Sequence, residues 1–151
     1  MDQASLHMPR ILFLDDSHDR AAAFLSAHPN AVWVQTVEQC IGLLQQPWDE
    51  VHLDHDLGGE VLVDHERDDC GMAVVRWLCE ESRPDLRDTR FIIHTHNPNA
   101  ACMMVLHLQV MGFQVQASPF GVVPPPRRGA SPGSLVGRLL RWLGQHRGTV
   151  V

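Results

Sequence analysis

The sequence contains no lysine: all 12 basic residues are arginine. Whatever chemistry the chain performs, no lysine amine takes part in it. Positive charge is scarce as a whole, with 12 basic against 18 acidic side chains and a formal net charge of −6. That balance argues against a DNA duplex or other nucleic-acid duplex as a general partner, because backbone affinity comes from clustered basic residues. The 4 cysteines (Cys40, Cys70, Cys79 and Cys102) show no C-x-x-C spacing, and two fall in apolar helical patterns. They read as reduced packing residues, not as a zinc site or a disulfide frame. No apolar run approaches a membrane span, and the N-terminus has no signal-peptide hydrophobic core. The expectation is a cytoplasmic chain with no membrane partner. There is no internal repeat.

What is present is ordinary for one globular domain: 151 residues, 44% hydrophobic and 20% charged, enough to bury a real core. The informative stretch is DEVHLDHDLGG, Asp49 to Gly59, a buried strand breaking into Asp54 and Asp56 with His52 and His55 interleaved. RILFLDD (Arg10 to Asp16) and RFIIHTHNPN (Arg90 to Asn99) repeat the pattern of an apolar run ending in polar residues. If the three strands are parallel, their polar ends meet at one edge of one sheet.

In chain order, residues 1–9 form a loose lead-in. A first strand, Ile11 to Leu14, has the continuous apolar run of a strand buried on both faces. Ser17 caps a helix over His18 to Ala27, stopped at His28-Pro29. A second strand spans Ala31 to Thr36 and a helix Val37 to Gln46. The third strand, Asp49 to Asp54, is expected to be central. An acid-rich loop covers Gly58 to Asp69, and a helix runs from Gly71 to Glu81. The fourth strand is Arg90 to Thr95. Asn97-Pro98 reads as an N-cap followed by proline at the first helical position, with the helix reaching about Met111 and Gly112 as its left-handed end. A fifth strand is Phe113 to Ala117. Residues 118–133 are a Pro/Gly/Arg-rich loop. Ser134 opens a last amphipathic helix, and 148–151 is a tail, so the domain is placed at 10–147.

Five alternations of strand and helix imply a doubly wound, five-stranded parallel sheet with helices on both faces. Ligands of such sheets bind beyond the carboxyl ends of the strands, near the switch in strand order. Asp15, Asp16, Asp54 and His94 all fall at such ends.

This pattern resembles the CheY-like (flavodoxin-like) receiver domain of two-component signalling. The paired acids Asp15 and Asp16, Asp54 after the third strand, Thr95 after the fourth and the glycine Gly71 opening a helix all match. In receivers the paired acids hold magnesium and the third-strand aspartate accepts a phosphoryl group. Three features depart from that pattern. Ser118-Pro119-Phe120 stands where receivers carry a lysine before proline, the third strand continues as HDLGG, and the fourth ends in HTHNPN. The set LDDxxxR, LDHDLG and H-T-x-N-P is similar to a narrower group, the cyclic-phosphate-processing receiver-like domains. That resemblance implies making or breaking cyclic phosphates in place of phosphoryl relay.

Carboxylates gathered at one edge repel one another unless a cation neutralises them. Hard oxygen ligands suit Mg²⁺ or Mn²⁺, so Asp15, Asp16 and Asp54 are expected to hold or frame a divalent metal, with Asp56 a further candidate. Otherwise Asp16 and Ser17 cap a helix and Asp54 ends a strand. His94 is either a general acid/base or a hydrogen-bonded core histidine. Thr95, His96 and Asn97 can donate to a phosphate, while Asn97 can equally cap its helix. His55 can be a ligand or its supporting partner, and His52 reads as structural. Arg20 can reach the site or point to water; Arg127 and Arg128 can close over a phosphate or lie in a solvated linker. The four tryptophans read as packing. The last helix can form a dimer face or cover the sheet.

The expected activity is metal-dependent processing, by hydrolysis, of a cyclic phosphate on a nucleotide or at an RNA end. The catalytic residues would be Asp54 and His94. Two other classes stay open: a receiver phosphorylated on Asp54 by a partner kinase, and a non-catalytic sensing module. No base-recognition motif is visible, so the substrate is not read from the sequence.

Overall fold

A computed structural model describes residues 8–120. The lead-in up to residue 7, the loop from residue 121 with Arg127 and Arg128, the helix expected from Ser134 and the tail lie outside the described residues.

Five short strands form one sheet: β1 (Ile11–Leu14), β2 (Val32–Val34), β3 (Glu50–Leu53), β4 (Arg90–Ile93) and β5 (Gln114–Ala117). Their order is β2-β1-β3-β4-β5, every neighbouring pair is parallel, and β3 is central as expected. The winding direction reverses between β1 and β3, which opens a crevice at their carboxyl ends. Register makes that crevice polar. Leu14 lies opposite Leu53, and Leu53 opposite Ile93. The next residues, Asp15, Asp54 and His94, therefore leave the sheet level with one another.

Four helices connect the strands: α1 (His18–Ala27), α2 (Val37–Leu43), α3 (Gly71–Glu80) and α4 (Pro98–Val110). Along β1 the pleat sends Leu12 and Leu14 into the main core, with Val74, Val75 and Leu78 of α3 and Met104 and Leu108 of α4. Phe13 points to the opposite face, where Phe24 of α1 stacks on it at 4.1 Å between centroids. The sheet is thus covered on both faces, as a parallel sheet requires.

The boundaries shift where side chains end elements. Strand β2 is shorter than expected because Thr36 leaves the ladder to cap α2, accepting from the Gln39 N–H at 3.3 Å. Helix α2 stops at Leu43, not Gln46, and the Trp48 indole donates to the freed Leu43 carbonyl at 2.9 Å. Ser17 and Asn97 cap α1 and α4 as expected, and Gly112 follows α4 with φ 82°. A 3-10 turn over Pro84–Leu86 lies between α3 and β4. All four cysteines are free, and among the described residues no helix is long and apolar enough to cross a membrane.

Candidate functional site

Asp15 leaves β1 fully buried, and its carboxylate does local work first. Oδ1 accepts from the Ser17 N–H at 2.8 Å, which turns the chain into α1. One turn into that helix, Arg20 comes back over the strand ends. Its Nε donates to Asp15 Oδ2 at 2.8 Å, and its Nη2 donates to Asp15 Oδ1 at 2.8 Å, Asp54 Oδ2 at 2.8 Å and Asp16 Oδ1 at 3.5 Å. Of the two readings the sequence allowed for Arg20, this is the one that reaches the site.

Asp54 is 4% exposed. Its Oδ1 accepts from the His55 N–H at 2.7 Å. Burial, and after it the charge of Asp15, push the Asp54 carboxyl up to about 6, against the pull of Arg20, the His55 N–H and the nearby Thr95 hydroxyl. Asp54 therefore changes charge near neutrality, far above an ordinary aspartate.

His94 occupies a different place from the one expected of an acid/base. It stacks on Phe13 at 5.1 Å and meets Phe120 edge-on at 5.0 Å, on the α1 face of the sheet. Neither ring nitrogen has a hydrogen-bond partner, and Nε2 lies 3.5 Å from Asp15 Oδ2. Burial first, then His52, Arg20 and His96, hold its pKa well below the usual value, so the ring is neutral. It stands behind Asp15 and does not face the open side of the site.

Asp56 and Asn97 organise the loop that follows β3. Asp56 Oδ2 accepts from Leu62 N at 2.7 Å and Oδ1 from Val63 N at 3.0 Å, which holds Leu62 at φ 53°. The Asn97 amide reaches Asp56 Oδ1 at 3.3 Å and the Val63 carbonyl at 3.4 Å while its Oδ1 caps α4 through Ala100 N at 3.1 Å. The His55 ring is buried and pairs with the same Val63 carbonyl at 3.0 Å. The Asp56 carboxylate, a candidate ligand from sequence, is thus occupied by the loop backbone, and Asn97 faces that loop instead of the cavity. Removing Asn97 breaks a cap and two loop ties together. Asn97→Ala is expected to lower stability by about 2 kcal/mol, twice an ordinary cap, in urea denaturation.

Above these groups lies a cavity of about 310 Å³ lined by Asp16, Ser17, Arg20, Asp54, Asp56, Gly59, Glu60, Val61, Thr95 and His96. Thr95 is almost fully buried and closes the floor, while His96 stands exposed on the wall. Gly59 N donates to Asp16 Oδ2, which draws the loop over the acids. Val61, on the same rim, is 83% exposed. Arg20 is the only arginine in that lining. Its place as the arginine of LDDxxxR, one turn into α1, was its signal in the sequence.

Asp15, Asp16 and Asp54 each offer a carboxylate oxygen, and these oxygens lie within 4.8 Å of one another. That spread suits one divalent ion with ligands at about 2.1 Å, and an all-oxygen set suits a hard cation. The three acids therefore fit a metal, though Arg20 Nη2 now sits against all three carboxylates.

A family model described as cyclic-phosphate processing Receiver domain matches residues 10–110, the stretch that builds β1 through α4 and supplies every lining residue of the cavity. No curated protein and no solved structure gives a significant match.

Proposed function

Since the chain belongs to the cyclic-phosphate processing receiver domain family, we propose that it hydrolyses a cyclic phosphate carried by a nucleotide or an RNA end. The observation that carries the reading is the cavity, where Asp16 and Asp54 of the three-acid cluster meet an arginine, a threonine hydroxyl and an imidazole, with Asp15 buried beside them.

In the reaction, water adds to phosphorus, one ring P–O bond breaks, and the departing sugar oxygen takes a proton, leaving an open monoester. Asp15, Asp16 and Asp54 would hold Mg²⁺ or Mn²⁺, which when bound would supply Lewis-acid polarisation of the phosphoryl group and an activated water. The protein's own groups do the rest. Thr95 presents its hydroxyl on the floor and is itself aligned by the Asn97 N–H, which donates to Thr95 Oγ1 at 3.2 Å. His96 is the histidine that faces the cavity, so proton delivery to the leaving oxygen falls to it. His94 lies behind Asp15, 3.5 Å from its Oδ2 and away from the cavity. Val61 offers an apolar surface on the rim to the organic part of the substrate.

The test is product formation from a panel of cyclic nucleotides and cyclic-phosphate RNA ends with Mg²⁺ or Mn²⁺. Asp54→Asn is expected to abolish turnover and His96→Ala to slow it about a hundredfold, the usual size of a lost proton donor. A folded, metal-bound wild-type protein that leaves the whole panel untouched would overturn the proposal.

One observation favours a second reading. Asp54 lines the cavity at the third-strand end, the place of a receiver's phosphoacceptor, so a partner kinase could phosphorylate it. Against this stands the missing lysine, with Ser118 in its place. Incubation with acetyl phosphate separates the two: a stable gain of one phosphoryl group in the mass, absent in Asp54→Asn, would favour the phosphoacceptor.

A further inference from the structure

The geometry points to Arg20 as a resident cation in the metal seat, displaced by the divalent ion and thereby turned into the cavity's anion-binding side chain. This rests on the reading of Asp15, Asp16 and Asp54 as the metal-holding acids.

One nitrogen, Arg20 Nη2, lies within 3.5 Å of all three carboxylates. Asp15 gives both its oxygens to this guanidinium, Oδ1 to Nη2 and Oδ2 to Nε. A metal bound by those oxygens would stand against a second positive charge at hydrogen-bond range, an arrangement that like charges oppose strongly in a part-buried site. The ion and the guanidinium therefore exclude each other. The arginine has somewhere to go: its side chain is 35% exposed and already lines the cavity.

His94 supplies the second observation. Its Nε2 is buried, unpartnered and 3.5 Å from Asp15 Oδ2, the oxygen that Arg20 Nε now holds at 2.8 Å. A buried donor without a partner is costly. When the guanidinium leaves, Nε2–H becomes the donor that replaces it, so Asp15 stays oriented while the metal binds. The vacant partnership of His94 is accounted for by the exchange. While paired to three carboxylates Arg20 is neutralised and a poor phosphate ligand; once released it is the only guanidinium among the cavity's lining residues. Metal and phosphate are then expected to bind with positive cooperativity, each favouring the released arginine.

Mn²⁺ affinity, read from the electron paramagnetic resonance of free ion, tests the exchange in the wild type and in Arg20→Gln. The variant is expected to bind Mn²⁺ about tenfold or more tightly, and at saturating Mg²⁺ to bind inorganic phosphate about tenfold more weakly by calorimetry. Because removing the arginine could unfold the metal-free protein, the wild type gives an independent readout. Its Arg20 Nε–H, protected from solvent exchange by Asp15, should lose that protection as Mg²⁺ is added. Equal or weaker Mn²⁺ binding by a folded variant, undiminished phosphate binding, or a protected Nε–H at saturating Mg²⁺ would each overturn the inference while the metal site stands. Failure of both proteins to bind Mn²⁺ would remove the metal site, and the inference with it.

Discussion

Gly71→Ala is expected to destabilise the protein by about 3–5 kcal/mol, as large as any single substitution in this chain should be. Gly71 is the first residue of α3, and its N–H donates to the His55 carbonyl at 3.0 Å. A Cβ at this position would press into the Asp54 carbonyl oxygen and lie 2.9 Å from both the Asp54 carbonyl carbon and the His55 Cα. Every one of those atoms is backbone, so no side chain can swing aside. Relief requires either backing α3 out of the core, which holds Met72, Val74, Val75 and Leu78, or moving the peptide between Asp54 and His55. The second route displaces the carboxylate at the centre of the site. Gly71→Ala should therefore lose Mn²⁺ affinity even where it remains folded. Gly42 in α2 is the contrast, since a Cβ there meets nothing within 4 Å. Gly42→Ala should be neutral or stabilising by about 0.5–1 kcal/mol, through helix propensity alone. Urea denaturation of the pair decides the matter: a Gly71→Ala midpoint close to the wild type would mean that α3 does not abut the end of β3 in this way.

That contact shows what a linear reading can and cannot reach. The strands were legible because a parallel sheet buries both faces, so ILFL and RFII stand out as apolar runs, and the polar residues after them mark where each strand stops. The level register of Asp15, Asp54 and His94 follows from that pattern once the strands pair. The family was legible from LDDxxxR, LDHDLG and H-T-x-N-P, and residues 10–110 match it. The roles of individual side chains beyond the strand ends were harder to see. His94, His96 and Asn97 sit in a turn where strand alternation has already ended, so no periodicity says that His94 faces Phe13 while His96 faces the cavity. Asp56 looked like a ligand because it is an acid near acids, yet its oxygens bind the N–H groups of Leu62 and Val63, which only the loop's path reveals. Arg20 lies 34 residues from Asp54, and their contact depends on how α1 is rotated over β1.

In the metal-free protein, Asp54→Asn is expected to raise stability by about 3 kcal/mol above neutral pH and by nothing in strong acid. The sign follows from the proton count. Asp54 titrates at 3.8 when unfolded and near 6 when folded, so between those values the folded chain keeps a proton that the unfolded chain has lost. Stability from this group falls as pH rises through that window, and the full cost, roughly two pH units at about 1.4 kcal/mol each, applies above it. His94 works in the opposite direction. Its folded pKa is depressed below 6.5, so its contribution is present above the unfolded value and lost as pH falls through the folded one. The two partly cancel in the wild type, whose profile should be flatter than either group alone would give. The difference between wild type and variant isolates Asp54, and chemical denaturation at about pH 8 and about pH 3.5 measures it. Mg²⁺ should reverse the ranking: at about a thousandfold excess over its dissociation constant it stabilises a binding protein by about 4.1 kcal/mol, and the variant lacks a carboxylate to hold it. If Asp54→Asn is no more stable than the wild type at the higher pH without metal, Arg20 already neutralises Asp54 in full. The strain that divalent binding would relieve then does not exist, and metal would have to win its seat from the arginine on coordination alone.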